Sequence, residues 1–105
     1  MKFIYNNKEI ELINCKSFYT RLMGNMFKKN ISKALLFEKC NSIHTFFMRE
    51  KIDVIMCDKD NCIKVVFKNL DKNRIIWPQR GATKTLEFPT GYYDFKVNDQ
   101  IRMVK

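Results

Sequence analysis

Alternating apolar and polar residues at the start of the chain predict a β-hairpin. Residues 3 to 5 and 8 to 15 have strand character, and the Asn6-Asn7 pair separates them. Asparagine tolerates the left-handed backbone conformation that two-residue hairpin turns require. In the second strand, the positions that follow Ile10 in steps of two face one side, and those that follow Glu9 face the other. We therefore expect a half-buried hairpin at an edge of the sheet.

The next segment has the spacing of a helix. From Ser17 to Phe27 the apolar residues recur about every fourth position, which places one apolar stripe along a helix. Ser17 is a suitable N-terminal cap, and Gly24 interrupts the pattern near its end. The spacing predicts one short helix at about residues 17–27.

The middle of the chain has the strongest strand pattern. The segments 35–37, 43–48, 52–57 and 62–67 are rich in β-branched and aromatic residues and are separated by polar turns. The turn 58–61 is predicted to be a hairpin loop in which Asn61 adopts a positive φ and Cys57 faces Cys62. Shorter strands follow at RIIW, KTLEF and QIRMV. Seven or eight short strands with one helix predict a mainly β, single-domain β-sandwich or barrel over residues 1–105.

Composition agrees with a folded domain that needs no cofactor. The chain has 105 residues, of which 46% are hydrophobic, so a core can form without metals or disulfides. No stretch resembles a secretory signal or a membrane helix, which predicts a cytoplasmic protein. We expect the protein to be a monomer or a weak dimer. In that compartment we expect its four cysteines to be free thiols.

The net charge of +9 invites an anionic partner. However, 15 of the 20 basic residues are lysines scattered singly along the chain, a distribution typical of a solubilising surface. The alternative of nucleic-acid binding through the basic ends of the chain would have its best surface candidates in Arg74, Trp77 and Arg80, with Lys72 beside them. We instead expect Trp77 to anchor the core beside Pro78, with the basic side chains in solvent.

Residues 40 to 57 read CNSIHTFFMREKIDVIMC and carry a recognisable motif. Together with RLMG at residues 21 to 24, GATKTLEF at residues 81 to 88 and Gly91, this segment resembles the domain of unknown function 192 family of small prokaryotic proteins. Asn25, Lys51 and Asn98 depart from the family pattern at local turns. The resemblance implies a small, mainly β domain and no established activity.

The same segment is predicted to fold back as a β-ribbon. A three-residue turn at 49–51 would pair Met48 with Ile52 and place His44 and Asp53 as polar residues on otherwise apolar faces. A buried carboxylate must be hydrogen-bonded, protonated or at a wet pocket. Arg21 and Thr45 are its candidate partners.

Several interpretations of this hairpin stay open. The leading one is a non-enzymatic domain that binds a small ligand or a protein partner, using Arg21, His44, Thr45, Phe47, Met48, Asp53 and Glu87. A second is a hydrolase-like or other acid–base enzyme that uses His44, Asp53 and Glu87, although no nucleophile motif or phosphate loop accompanies them. A third interpretation is that the polar groups are satisfied structural residues, which is the more common role of a lone His and a lone Asp at a strand hairpin. No metal site is expected, since Cys40, His44 and Met48 would be about 13 Å apart along a strand.

Overall fold

The computed structural model describes residues 1–16, 31–46 and 48–105. The helix predicted at 17–27 lies outside these ranges, as do Arg21 and Phe47. Within them the secondary structure is entirely β: β1 Lys2–Tyr5, β2 Lys8–Asn14, β3 Ala34–Glu38, β4 Ile43–His44, β5 Ile52–Cys57, β6 Ile63–Leu70, β7 Ile75–Ile76, β8 Lys84–Pro89 and β9 Arg102–Val104.

Seven of these strands form one curled sheet in the order β6-β5-β8-β3-β2-β1-β9. Its strand pairs are antiparallel except for β2 and β3, which run parallel. The two ends of the sheet approach each other, because Ile63 exchanges backbone hydrogen bonds with Asn98 and Asp99, and the Ile101 N–H donates to Asn61. The architecture is therefore barrel-like, one of the two alternatives that the sequence left open.

The first hairpin forms as predicted. Asn6 and Asn7 have φ angles of 51° and 62°, and Tyr5 pairs with Lys8 across the turn. Ile10 is buried and Glu9 is exposed, as the alternation predicts. The hairpin does not lie at an edge, however, because β1 also pairs with β9 and β2 also pairs with β3. The polar positions of β2 mark an exposed face of the strand and not a free edge.

An aromatic cluster fills the centre of the barrel. Phe3 is completely buried and meets Phe88, Tyr93 and Phe95 edge-on, with ring centroids 4.7, 5.4 and 6.0 Å away. Such edge-to-face pairs add roughly 0.5–1.5 kcal/mol each beyond the area they bury. The cluster ties the first strand to the eighth and to the segment that follows it.

The predicted hairpin of residues 43–57 does not form. β4 pairs with β7, with His44 opposite Ile75, whereas β5 lies in the main sheet between β6 and β8. Every residue of β5 is buried, and a strand buried on both faces is stabilised best by a neighbour on each side. Residues 49–51 therefore connect two sheets instead of forming a tight turn.

The predicted pairing of Cys57 with Cys62 is also wrong. Cys57 pairs with Ile63, because the register shifts at this end of β5, and Cys62 instead pairs with Gln100. The Asp58 carboxylate accepts the N–H groups of Asp60 and Cys62 and shapes the loop. Asn61 does adopt the predicted positive φ, at 63°. Cys40, Cys57 and Cys62 are free thiols. Burial raises the pKa of the Cys57 thiol to about 12, which makes it unreactive at neutral pH.

Candidate functional site

Asp53 is buried, and both oxygens of its carboxylate accept hydrogen bonds. One oxygen accepts the Asn69 N–H at 2.8 Å and the Thr90 hydroxyl at 3.1 Å, and the other accepts the Gly91 N–H at 2.9 Å. Asn69 has a φ of 51° at an irregularity in the β5–β6 pairing, and Gly91 has a φ of +77° in the turn after β8. Asp53 therefore joins the irregular part of β6 at Asn69 and the turn after β8 to β5, which is the hydrogen-bonded state that the sequence allowed.

Thr45 is buried and holds the loop between β6 and β7. Its hydroxyl donates to the Asp71 carbonyl at 2.7 Å and accepts the Arg74 N–H at 2.8 Å. Its backbone N–H donates to the Arg74 carbonyl at 2.8 Å, and its carbonyl accepts from Asn73 at 3.1 Å. The hydrogen bonds of Thr45 thus go to this loop and not to Asp53. They fix the position of the Arg74 backbone.

His44 lies on an exposed side of the two-stranded sheet. Its ring stacks on Phe46 with centroids 5.2 Å apart and planes at 27°, and its Nδ1 accepts the Phe46 N–H at 3.2 Å. The imidazole is thus an accessible group on the two-stranded sheet.

The remaining candidates lie elsewhere. Glu87 pairs with Val54 and Asp53 pairs with Phe88, so the two carboxylates face opposite sides of the sheet. Met48 is buried in a cluster with Ile52 and Val54. The described residues therefore do not bring His44, Asp53 and Glu87 into one acid–base site.

A different surface stands out at the paired segments 41–46 and 74–79, which we call the ribbon. Backbone hydrogen bonds join it from Thr45 to Arg74 at one end and from Asn41 to Gln79, at 2.9 Å, at the other. His44 and Ile75 are cross-strand partners, so their side chains lie on the same side of the ribbon. Because side chains alternate along a strand, Trp77 lies on this side with Ile75, and Phe46 lies on it with His44. This side, the ribbon face, consists of His44, Phe46, Ile75 and Trp77.

The ribbon face is unusually exposed for its composition. Trp77 is 72% exposed, Ile75 48% and Phe46 37%. Tryptophan is buried for most of its surface in typical proteins. The expectation that Trp77 anchors the core is wrong, because Ile43 on the other side of the ribbon packs against the core in its place.

Two clefts that contain basic residues include parts of the loop that Thr45 anchors. One, of about 490 Å³, is lined by Arg49, Lys51 and Lys72 together with Glu50. The other, of about 540 Å³, runs along β6 and contains Lys68 and Arg74, with Asp71 as its acidic residue. Glu50 accepts the Ile31 N–H, and Lys68 pairs with Asp94. Arg49, Lys51, Lys72 and Arg74 remain as exposed cations around the ribbon.

The distribution of acidic residues in the sequence indicates this surface, although the alternation of apolar and polar residues along the strands does not. Segments 39–49 and 72–86 contain no acidic residue, although 11 acidic residues are spread through the chain. The first residues of the two segments, 39 and 72, are 33 positions apart in sequence. The β4–β7 pairing brings the two segments together. Phe46 and Ile75 are surface residues that the sequence did not indicate.

Two kinds of feature are absent from the described ranges. No group of three or more His, Cys, Asp or Glu side chains in these ranges is arranged to hold a metal ion. Likewise, these ranges contain no helix of the length and apolarity needed to cross a bilayer.

Comparison with known sequences places the chain among uncharacterised proteins. The model of the family DUF192, described as an uncharacterized ACR, matches residues 2–103. A UPF0127 protein of Thermococcus kodakarensis is 38% identical over 81 residues, which cover 71% of this chain and 51% of that protein. A UPF0127 protein of Thermococcus sibiricus is 34% identical over 94 residues, covering 81% and 60%. The chain thus spans about half the length of these relatives.

Solved structures share the fold at low sequence identity. The crystal structure of a "putative transcription regulator" from Sinorhizobium meliloti superposes with a TM-score of 0.79 at 15% identity, covering 96% of this chain and 89% of that one. A protein of unknown function from Novosphingobium aromaticivorans gives a TM-score of 0.77 at 14% identity, with coverage of 97% and 82%. These likenesses concern the fold alone.

Proposed function

Since the chain belongs to the DUF192 family, whose description assigns no activity, we propose a function from its own surface: a non-enzymatic binding domain. Its contact surface is the ribbon face with the basic residues around it. Its partner is an anionic molecule that also offers flat or apolar groups to the exposed rings.

The observation that carries this proposal is the exposure of Trp77 beside three other apolar or aromatic side chains. A contiguous apolar patch on a surface strand, rimmed by polar residues, is typical of an interaction site. Tryptophan is among the residues that contribute most to binding when they become buried in a complex. Keeping 72% of Trp77 in water has no stabilising role in the free domain.

Charge supports an anionic partner. Arg74 and Arg80 lie in the ribbon segment and its continuation, and Lys72 precedes them, with no acidic residue between 72 and 86. A patch of one sign attracts an oppositely charged partner and raises the association rate. The dispersed placement of His44, Asp53 and Glu87 favours binding over acid–base catalysis, and location in the cytoplasm stays a prediction.

Intrinsic fluorescence tests this function, because Trp77 is the single tryptophan of the chain. We expect the free protein to be readily quenched by acrylamide, since the indole is in solvent. Saturating amounts of heparin or poly-L-glutamate, used as anionic probes at low salt, should change the emission and protect Trp77 from acrylamide.

Matched variants define the surface in this experiment. Arg74→Ala should raise the probe concentration needed for half-saturation, whereas Lys59→Ala, which removes an exposed cation outside the ribbon, should leave it nearly unchanged. If neither probe alters the emission or the quenching of Trp77, and polystyrene sulfonate, an anionic polymer that carries flat aromatic groups, does not alter them either, the proposed function is wrong.

A further inference from the structure

We infer that the anionic partner of the ribbon face is single-stranded nucleic acid. This inference rests on the proposed function and names the partner class for the same surface. It combines three features: exposed rings that can stack on bases, arginines concentrated beside those rings, and a backbone that holds both in place.

The rings of the ribbon face suit stacking. Trp77 presents most of its indole to solvent, and the His44 and Phe46 rings form a nearly parallel stacked pair on the neighbouring strand. His44 lies directly opposite Ile75, so Trp77 is its diagonal cross-strand neighbour, at about 7–8 Å. Every base has an aromatic face, so successive bases of one strand can stack on Trp77 and on the histidine–phenylalanine pair.

Arginine is concentrated here although lysine dominates the chain. Only five of the 20 basic residues are arginines, and three of them, Arg49, Arg74 and Arg80, belong to the ribbon or its flanks. The planar guanidinium can bind a phosphate through two parallel hydrogen bonds and can also stack on a base, neither of which lysine does. The lysine count that argued against nucleic acid for the whole chain therefore does not describe this surface.

The basic loop is held in place before any partner binds. Thr45 makes hydrogen bonds to Asp71, Asn73 and Arg74, and it is itself buried. The loop therefore places Lys72 in one cleft and Arg74 in the other. A surface that is ordered in advance loses less conformational entropy on binding.

The exposed rings distinguish a single strand from other anions. In a duplex the base faces are already stacked on each other, so Trp77 would gain nothing from them. An acidic peptide would satisfy the arginines but offers carboxylates, not aromatic faces, to the rings. Single-stranded nucleic acid satisfies both kinds of group at once.

The test measures binding of a labelled oligodeoxythymidylate of about 12 nucleotides, a length within the usual site sizes for single-strand binding domains. We expect fluorescence anisotropy to show saturable binding and quenching of Trp77 on titration. Trp77→Ala should weaken the affinity by about 5- to 150-fold, the range for loss of one base stack, and Trp77→Phe should restore most of it. Arg74→Ala should reduce the salt dependence of the binding constant by roughly 0.7 in its logarithmic slope.

Controls separate this inference from simple charge attraction and from the broader function. Val97→Ala, which truncates a 51% exposed apolar residue outside the ribbon, should leave the affinity unchanged. Equal affinity for the duplex and the single strand, or an unchanged affinity in Trp77→Ala, would overturn the inference. If poly-L-glutamate protects Trp77 and the oligonucleotide does not, the inference fails while the proposed binding surface stands.

Discussion

Replacing Asp53 by asparagine is expected to destabilise the domain by about 2–4 kcal/mol. The carboxylate accepts two backbone N–H groups and one hydroxyl with its two oxygens. Asparagine has one acceptor oxygen, and its NH₂ group would point hydrogens at an N–H that needs an acceptor. A loss of this size should lower the melting temperature by roughly 8–30 °C for a domain of about 100 residues, measured by circular dichroism or calorimetry.

Asp60→Asn is the matched control, because Asp60 is exposed and undergoes the same chemical change. It should shift stability by less than about 0.5 kcal/mol. A melting temperature for Asp53→Asn equal to that of Asp60→Asn would contradict the structural role assigned to this carboxylate. It would then reopen Asp53 as a functional group that does not contribute to folding.

Replacing Thr45 by valine is expected to cost about 2–3 kcal/mol, although the two side chains have the same shape. The change removes one hydroxyl that donates to the Asp71 carbonyl and accepts the Arg74 N–H, and both groups lose their partner. The loop that carries Lys72 and Arg74 should loosen, so amide hydrogen exchange at residues 71–74 should accelerate beyond the change elsewhere.

Two companion variants make this result specific. Thr45→Ser keeps the hydroxyl and should retain most of the stability and the protection of the loop. Thr83→Val, at an exposed threonine whose hydroxyl is 3.4 Å from its acceptor, should have little effect. Unchanged exchange at residues 71–74 in Thr45→Val would show that another contact positions the basic loop.

Local features of the fold were predictable because they depend on short stretches of sequence. The Asn6-Asn7 turn and the positive φ of Asn61 follow from the conformational tolerance of asparagine, and both are confirmed. The strands predicted at 35–37, 52–57 and 62–67 were also found close to their predicted positions, whereas the strand predicted at 43–48 is limited to Ile43–His44. Such features need no knowledge of the rest of the chain.

Strand partners were not predictable in the same way. The strands around His44 and Asp53 have the pattern of a hairpin, but β5 finds two neighbours in the main sheet and β4 pairs with a strand about 30 residues later. Pairing is decided by burial on both faces of β5, which the hydrophobic pattern of one strand cannot specify. The alternatives of sandwich and barrel also depend on contacts between distant ends of the chain.

In the candidate site, too, local requirements were predictable and contacts between distant parts of the chain were not. That a buried Asp53 needs hydrogen-bond partners follows from electrostatics, and this was correct. Its actual donors are mostly backbone N–H groups at Asn69 and Gly91, which leave no pattern in the sequence. The exposure of Trp77 was missed because a tryptophan beside Pro78 in an apolar stretch has the composition of a core strand.

The proposed function requires that the partner binds at the ribbon face. Amide correlation spectra of the isotope-labelled protein test this requirement. During titration with single-stranded oligodeoxythymidylate, we expect the largest shifts at residues 41–46 and 72–80 and at the indole N–H of Trp77. Chemical-shift changes spread evenly over the exposed lysines would contradict binding at the ribbon face. So would changes centred on another part of the barrel while Trp77 stays unperturbed.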